Sequence, residues 1–262
     1  MQIGVFDSGL GGLIVMEAIS RALPEHDLVY LGDTKRVPYG NRSQATIHEF
    51  VGEALEFLFA NDCLLVVLAC NTASAESLRK TQQEYLPVHR PDHRVLGVII
   101  PVVEAVLASE DSGRVGVLAT ASTIQSQAYE REFERQRPGT EVSSTAAPLL
   151  VPLIEGDGLD LIEPVAERYL AALGPIDTLV LGCTHYGAVR DIFQKLTPAK
   201  VIASEDVVPE KLCDYLERHL EINDRLTKEG KRRYLVTDLG PGYPELVHRL
   251  LGHEIKHEEV TL

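Results

Sequence analysis

Basic residues are in short supply. The 262-residue chain carries 25 Lys and Arg against 39 Asp and Glu, a formal net charge of −14 at pH 7. A surface this acidic argues against general nucleic-acid binding. It leaves room for an acidic substrate, because helix N-termini and backbone amides can make a site locally electropositive. No apolar run approaches the length of a membrane span. There is no Walker A lysine, and the glycines at 9, 11 and 12 do not form a G-x-G-x-x-G pattern, which argues against a nucleotide site. No C-x-x-C and no Cys/His zinc spacing occurs, so no metal site is expected, and His89 and His93 read as solvated loop residues. The four cysteines are too few for a disulfide scaffold in a chain of this length. The first residues, Met1-Gln2-Ile3-Gly4-Val5-Phe6, enter a strand without a basic leader. A reducing, cytoplasmic location is therefore expected, and it would keep the thiols available for chemistry.

What the chain does have is an apolar run, 64–69, that ends in Cys70 and is followed by Asn71 and Thr72. The run reads as a buried parallel strand leading into a helix over 73–85. Cys70 then sits at the carboxyl end of a strand and the mouth of a helix, where open α/β sheets bind ligands and where the helix dipole favours a thiolate. The plainer alternative is a buried structural cysteine. A second copy favours chemistry: the run 178–182 ends in Cys183, Thr184 and His185. Ile3-Gly4-Val5-Phe6 likewise matches Val115-Gly116-Val117-Leu118, and the segment from Asp27 matches that from Glu141. The offset is roughly 112–114 residues throughout, the mark of an internal duplication. With 45% hydrophobic residues each half can bury a core. The expected fold is α/β: two pseudo-symmetric three-layer domains with mainly parallel sheets and a site in the cleft between them. The domains are expected over 1–94 plus 207–262 and over 95–206.

Taken in order, a strand over 2–6 leads into Asp7-Ser8-Gly9-Leu10-Gly11-Gly12 and a helix over 13–23. The glycines read as letting backbone N–H groups approach a small anion. Asp7 could orient a thiol or pair with an ammonium; for it and Ser8 the plainer alternative is a helix N-cap. After a strand over 27–31, the loop ending in Pro38-Tyr39-Gly40 is a candidate binding loop, against an ordinary surface turn. A helix over 43–60, a polar loop over 87–93, a strand over 95–100, a helix from Pro101 and a turn over 111–113 lead into the second half. There a strand over 114–118 precedes the hydroxyls of Thr120, Ser122 and Thr123 and a helix over 126–137. An apolar loop over 145–155 ends in Glu155, which could pair with a histidine or simply begin the helix over 159–173. The strand over 200–203 closes this half. A helix over 208–220, a strand over 233–236 and a helix over 245–251 lie outside the repeat and are expected to pack back onto one half. Cys63 and Cys213 lack polar neighbours in sequence and read as structural.

One thiol would suggest a nucleophile needing a base. Two thiols from pseudo-symmetric halves suggest another logic: one thiolate removes a proton from one face of a carbon and the other thiol delivers a proton to the opposite face. Asp7 and His185 are the nearest groups to activate the sulfurs, and Ser8, Asn71, Thr72 and Thr184 are placed to hydrogen-bond a carbanion.

These stretches resemble the cofactor-independent aspartate/glutamate racemase superfamily, and within it the glutamate racemases. The resemblance rests on Phe6-Asp7-Ser8-Gly9-Leu10-Gly11-Gly12-Leu13, Tyr30-Leu31-Gly32-Asp33-Thr34 with Arg36 and Pro38-Tyr39-Gly40, Ala69-Cys70-Asn71-Thr72-Ala73-Ser74-Ala75, Val151-Pro152-Leu153 with Glu155, and Leu181-Gly182-Cys183-Thr184-His185-Tyr186. It implies that Cys70 and Cys183 are the catalytic thiols, assisted by Asp7, Glu155 and His185. It implies that Asp7, Ser8, Pro38, Tyr39, Gly40, Asn71, Thr72, Thr184 and His185 bind L- or D-glutamate, with no pyridoxal phosphate or other cofactor. It further implies a homodimer that supplies D-glutamate for peptidoglycan. Gly187, Ala147-Pro148 and Ala203-Ser204 depart from the family's usual Pro, Cys-Pro and Asp-Ser. A racemase for aspartate or another amino acid fits the thiol pair but not the Pro-Tyr-Gly and Cys-Asn-Thr-Ala-Ser motifs as well. A one-thiol decarboxylase is disfavoured by the second cysteine. Binding to DNA gyrase, which an acidic DNA mimic would suit, stands behind catalysis because both thiols and their partners are intact.

Overall fold

The computed structural model describes residues 1–109, 113–240 and 242–262. The expected turn over 111–113 falls mostly outside the described residues. The first half runs β1 (Gln2–Asp7), α1 (Gly12–Ala22), β2 (Leu28–Gly32), α2 (Gln44–Ala60), β3 (Cys63–Leu68), α3 (Asn71–Lys80), α4 (Leu86–His89), β4 (Arg94–Gly97) and α5 (Ile99–Ala108). The second runs β5 (Arg114–Ala119), α6 (Ala121–Gln125), α7 (Ala128–Gln136), β6 (Glu141–Ala146), α8 (Leu150–Glu155), α9 (Ile162–Leu173), β7 (Thr178–Gly182), α10 (Arg190–Leu196) and β8 (Lys200–Ala203). A tail of α11 (Ser204–Arg218), α12 (Leu220–Asn223), β9 (Arg232–Val236), α13 (Tyr243–Leu251) and β10 (Glu258–Glu259) follows.

The strands form two sheets, ordered β10-β9-β2-β1-β3-β4 and β6-β5-β7-β8, and every pairing is parallel. The order second-first-third-fourth is therefore repeated, which gives the sequence duplication a topological form. Every residue of β3 and β7 is buried, as expected of central strands covered by helices on both faces. β6 lies at a sheet edge and is only partly buried. In the tail, β9 adds to β2 in full register, and the Asp27 carboxylate accepts from Thr227 Oγ1 and from the amides of Glu229 and Lys231 at 2.7–3.1 Å. α11 packs between α1 and α5, so the tail also touches the connection between the halves.

Four expectations change. The helix after Cys70 does not end at 85: α3 continues through a π-helical turn, Thr81–Tyr85, into α4, and this wide turn accommodates Pro87, which has no N–H to donate. β4 stops at Gly97, and α5 begins at Ile99 with Pro101 in its first turn, where an N–H would have no partner within the helix. The apolar loop over 145–155 is the end of β6 plus α8. A domain boundary between 94 and 95 would divide β4, whose residues pair with Leu65 to Leu68 of β3; residues 95–97 belong to the larger sheet. Among the described residues no helix is long and apolar enough to cross a membrane.

Candidate active site

A cavity of about 320 Å³ lies at the carboxyl ends of both sheets, within the size range of small-molecule sites. The loop after β1 contributes Ser8, the loop after β2 contributes Pro38, Tyr39 and Gly40, and the turn after β3 contributes Cys70, Asn71 and Thr72. From the other half come Thr120, Glu155 of α8, and Cys183, Thr184 and His185 after β7. No lysine or arginine is among the described lining residues. An anionic ligand would be met by amides, hydroxyls and the N-termini of α3 and α6, which open at Asn71 and Ala121.

Cys70 is the N-cap of α3: its Sγ accepts from the Ala73 amide at 3.4 Å and lies 3.4 Å from Ser8 Oγ. Burial, and next the negative charge of Asp7, push this thiol up to about 12, against the pull of Ser8 and Ala73. Asp7 sits behind the cavity wall rather than on it. Its carboxylate accepts from the Gly9 amide at 2.9 Å and from Thr184 Oγ1 at 3.3 Å, bridging the halves. Burial raises its pKa, and the charge of His185 draws it partly back. Among the described residues its hydrogen bonds go to other groups than the sulfurs, and its charge opposes a thiolate on Cys70. The carboxylate also accepts from the amide of Gly12, the first residue of α1, and so caps that helix from outside the N-cap position, which Gly11 holds.

Around Cys183 the polarity is reversed. His185 Nδ1 lies 4.0 Å from Cys183 Sγ, and His185 Nε2 lies 2.8 Å from Glu155 Oε1. Burial by itself would lower the pKa of this histidine. The bonds to Cys183 and Glu155 outweigh burial and raise it to about 10. At neutral pH an imidazolium therefore stands beside Cys183, with both ring N–H groups committed. Glu155 is at the end of α8 and takes the histidine-pairing alternative rather than capping α9.

The halves meet closely around the cavity. Gly11 leaves no room for a side chain: a Cβ there would lie 2.5 Å from both His185 Nδ1 and Thr184 Oγ1. Gly11 thus serves contact between the halves, whereas Gly9 and Gly12 pack against Val37 and Asp7 of their own half. Gly40 packs against Thr120, where a Cβ would come within 2.9 Å. Thr72 Oγ1 lies 2.8 Å from Thr120 Oγ1, and Tyr129 of α7 donates to Asn71 Oδ1 at 2.7 Å.

Two contributors were not singled out from sequence. Asp33, fully buried, accepts from Tyr39 OH at 2.5 Å, Arg36 Nε at 2.6 Å and Thr237 Oγ1 at 3.0 Å, and so holds the Pro38-Tyr39-Gly40 loop against the tail. Its place within the Gly32-Asp33-Thr34 motif was the available signal. Tyr129 carried none. Of the departures from the family pattern, Gly187 has a structural counterpart: the Glu205 carboxyl occupies the space a side chain at 187 would take. Among the described residues no group of three or more His, Cys, Asp or Glu could hold a metal ion.

The Asp/Glu/Hydantoin racemase family model matches residues 3–210. A glutamate racemase from Aquifex aeolicus is 39% identical, covering 98% of this chain and 96% of that protein. The crystal structure of a glutamate racemase isoform from Bacillus anthracis superposes with a TM-score of 0.90 at 32% identity, covering 100% of this chain and 97% of the other. The glutamate racemase from Francisella tularensis, solved in complex with D-glutamate, gives 0.88 at 32%, covering 99% and 97%. Two thiols on matching strand ends of a repeated sheet thus agree with likeness over the full length: the chain belongs to the Asp/Glu/Hydantoin racemase family and is an amino-acid racemase.

Proposed function

We propose that the chain interconverts L- and D-glutamate by two-base proton transfer at the α-carbon between Cys70 and Cys183. The observation that carries this is the placement of the two sulfurs at equivalent strand ends, in one cavity, in opposite electrostatic settings. Whichever sulfur is the thiolate takes the α-proton, and the other, as the thiol, delivers its own to the opposite face; Ser8 stands beside Cys70 and His185 beside Cys183 for either role. One C–H bond breaks and one forms, and the sulfurs exchange protonation states. The free enzyme is then left in the form that accepts the opposite enantiomer. An ammonium near Asp7 would offset the charge that opposes a Cys70 thiolate. Asn71 and the loop of Pro38, Tyr39 and Gly40 would bind the carboxylates, and Ser8, Thr72 and Thr184 would stabilise the carbanion.

The same reading takes the first unit as the larger sheet with the tail, the second as the smaller sheet, and the assembly as a cytoplasmic homodimer supplying D-glutamate for peptidoglycan. The test is circular dichroism of L-glutamate and, separately, D-glutamate with purified protein in reducing buffer and no cofactor added. Decay of both to the same optically silent mixture is expected. Unchanged glutamate, with turnover of aspartate or another amino acid, would overturn the substrate assignment.

A further inference from the structure

Asn71 has an incomplete set of partners. Its side chain is 2% exposed and lines the cavity. Its Oδ1 accepts from Tyr129 OH at 2.7 Å, while its Nδ2 is buried with no protein hydrogen-bond partner. A buried amide nitrogen beside a cavity is a donor awaiting an acceptor. Which end of the amide faces the ligand is decided by what holds the other end, and here that is Tyr129.

Tyr129 comes from the opposite half. It lies in the first turn of α7, and the residue before that helix, Gln127, is in the left-handed region at φ 52° and ψ 29°. This conformation is costly for a residue with a side chain. It separates α6 from α7 and sets the direction of the turn that carries Tyr129. The ring packs over Gly182, where a Cβ would come within 3.2 Å of Tyr129 Cε2. Gly182 immediately precedes Cys183, and Asn71 immediately follows Cys70. One side chain therefore touches both thiol turns, by ring on one side and by hydroxyl on the other.

We propose that Tyr129 is a positioning residue that fixes the Asn71 amide with its nitrogen toward the cavity, so that a substrate carboxylate meets a preset donor. The proposal rests on the assignment of Asn71 to the substrate site. Tyr129 acts through Asn71, so its hydroxyl has no value once the amide is gone.

A double-mutant cycle tests this. Tyr129→Phe keeps the ring over Gly182 and removes only the hydroxyl; Asn71→Ala removes the amide. In Tyr129→Phe, KM is expected to rise about tenfold with little change in kcat, the pattern of lost uniform binding. In the Asn71→Ala background the same substitution is expected to change nothing further. A fall in kcat with KM unchanged, or a Tyr129→Phe effect that persists in full without the amide, would overturn the proposal. Such a result would point to placement of Cys183 through Gly182. Asn71→Asp leaves Tyr129 untouched: the carboxylate still accepts the hydroxyl but offers no N–H. It should raise KM at least as much as Asn71→Ala, and a wild-type KM would refute the donor role. All variants are assayed on the amino acid that the wild-type protein racemises. Wild-type inertness toward glutamate thus counts against the glutamate assignment alone, while the cycle still decides the role of Tyr129.

Discussion

Replacing Gly11 by alanine is the sharpest probe of how the halves meet. The backbone gives no reason for a glycine there, since φ −59° and ψ −33° are helical. The reason is space. An added Cβ would lie 2.5 Å from His185 Nδ1, 2.5 Å from Thr184 Oγ1 and 2.8 Å from His185 Cε1; an ordinary contact begins at 3.4 Å, so something must give by about 0.9 Å. Neither neighbour is free to turn away. His185 is held by Glu155 at 2.8 Å, and Thr184 by Asp7 at 3.3 Å. The displacement passes to the Thr184–His185 turn and to the adjacent Cys183. Misplacing a reacting group by ~1 Å costs on the order of 100-fold in rate, or about 2.7 kcal/mol in the barrier. Gly11→Ala is therefore expected to lower kcat/KM about 100-fold in both directions by polarimetric assay, with a loss of about 1–3 kcal/mol in stability from overpacking. Gly52→Ala is the control. It lies inside α2 with nothing within 4 Å of its Cβ, and alanine there should stabilise by up to about 1 kcal/mol without touching turnover. Wild-type kinetics in Gly11→Ala, or an equal loss in Gly52→Ala, would refute the steric reasoning.

Cys70→Ala and Cys183→Ala should each abolish racemisation while leaving the thermal midpoint near that of the parent; full turnover in either would sink the two-thiol assignment. Glu155→Gln keeps an acceptor for His185 Nε2 but removes the negative charge that helps keep the ring protonated up to about 10. The alkaline limb of the pH profile of kcat/KM should then move down by about 1–3 pH units, and an unmoved limb would show that the imidazolium is not required. Burial raises the Glu205 carboxyl from 4.5 to about 7. Its contribution to stability is therefore fully present below about pH 4.5 and is lost as the pH rises through about 7, by up to ~3 kcal/mol. Urea unfolding of Glu205→Gln and the parent at pH 5 and pH 8 should show the gap between them shifting in the variant's favour at the higher pH; parallel curves would contradict it.

Legibility from sequence followed burial. β3 and β7 are central, buried on both faces, and stood out as apolar runs. β6 lies at an edge with half-exposed side chains, and only its offset from the Asp27 segment betrayed it. Cys70 and Cys183 were legible because each ends such a run, and His185 because it follows one. Glu155 was visible merely as an acid after apolar residues; its histidine is 30 residues on, a distance that no local pattern spans. Asp33 meets Thr237 across 204 residues, and Tyr129 meets Asn71 across 58. Both pairs exist only once the halves and the tail are folded together. Pro87 and Pro101 misled at the helix boundaries, because a π-helical turn and a first-turn position each tolerate a missing N–H.

The unequal surroundings of the two sulfurs carry a thermodynamic consequence. Mirror-image amino acids have equal free energy in water, so the equilibrium constant of a racemisation is unity. The Haldane relation then forces kcat/KM to be the same in both directions, however different a serine-and-amide environment is from an imidazolium. The asymmetry between Cys70 and Cys183 can appear only as a matched scaling of kcat and KM, the enantiomer that binds more weakly being the one that turns over faster. A substitution at Ser8 or His185 can reset that scaling, but no change to the protein can make the reaction favour one hand.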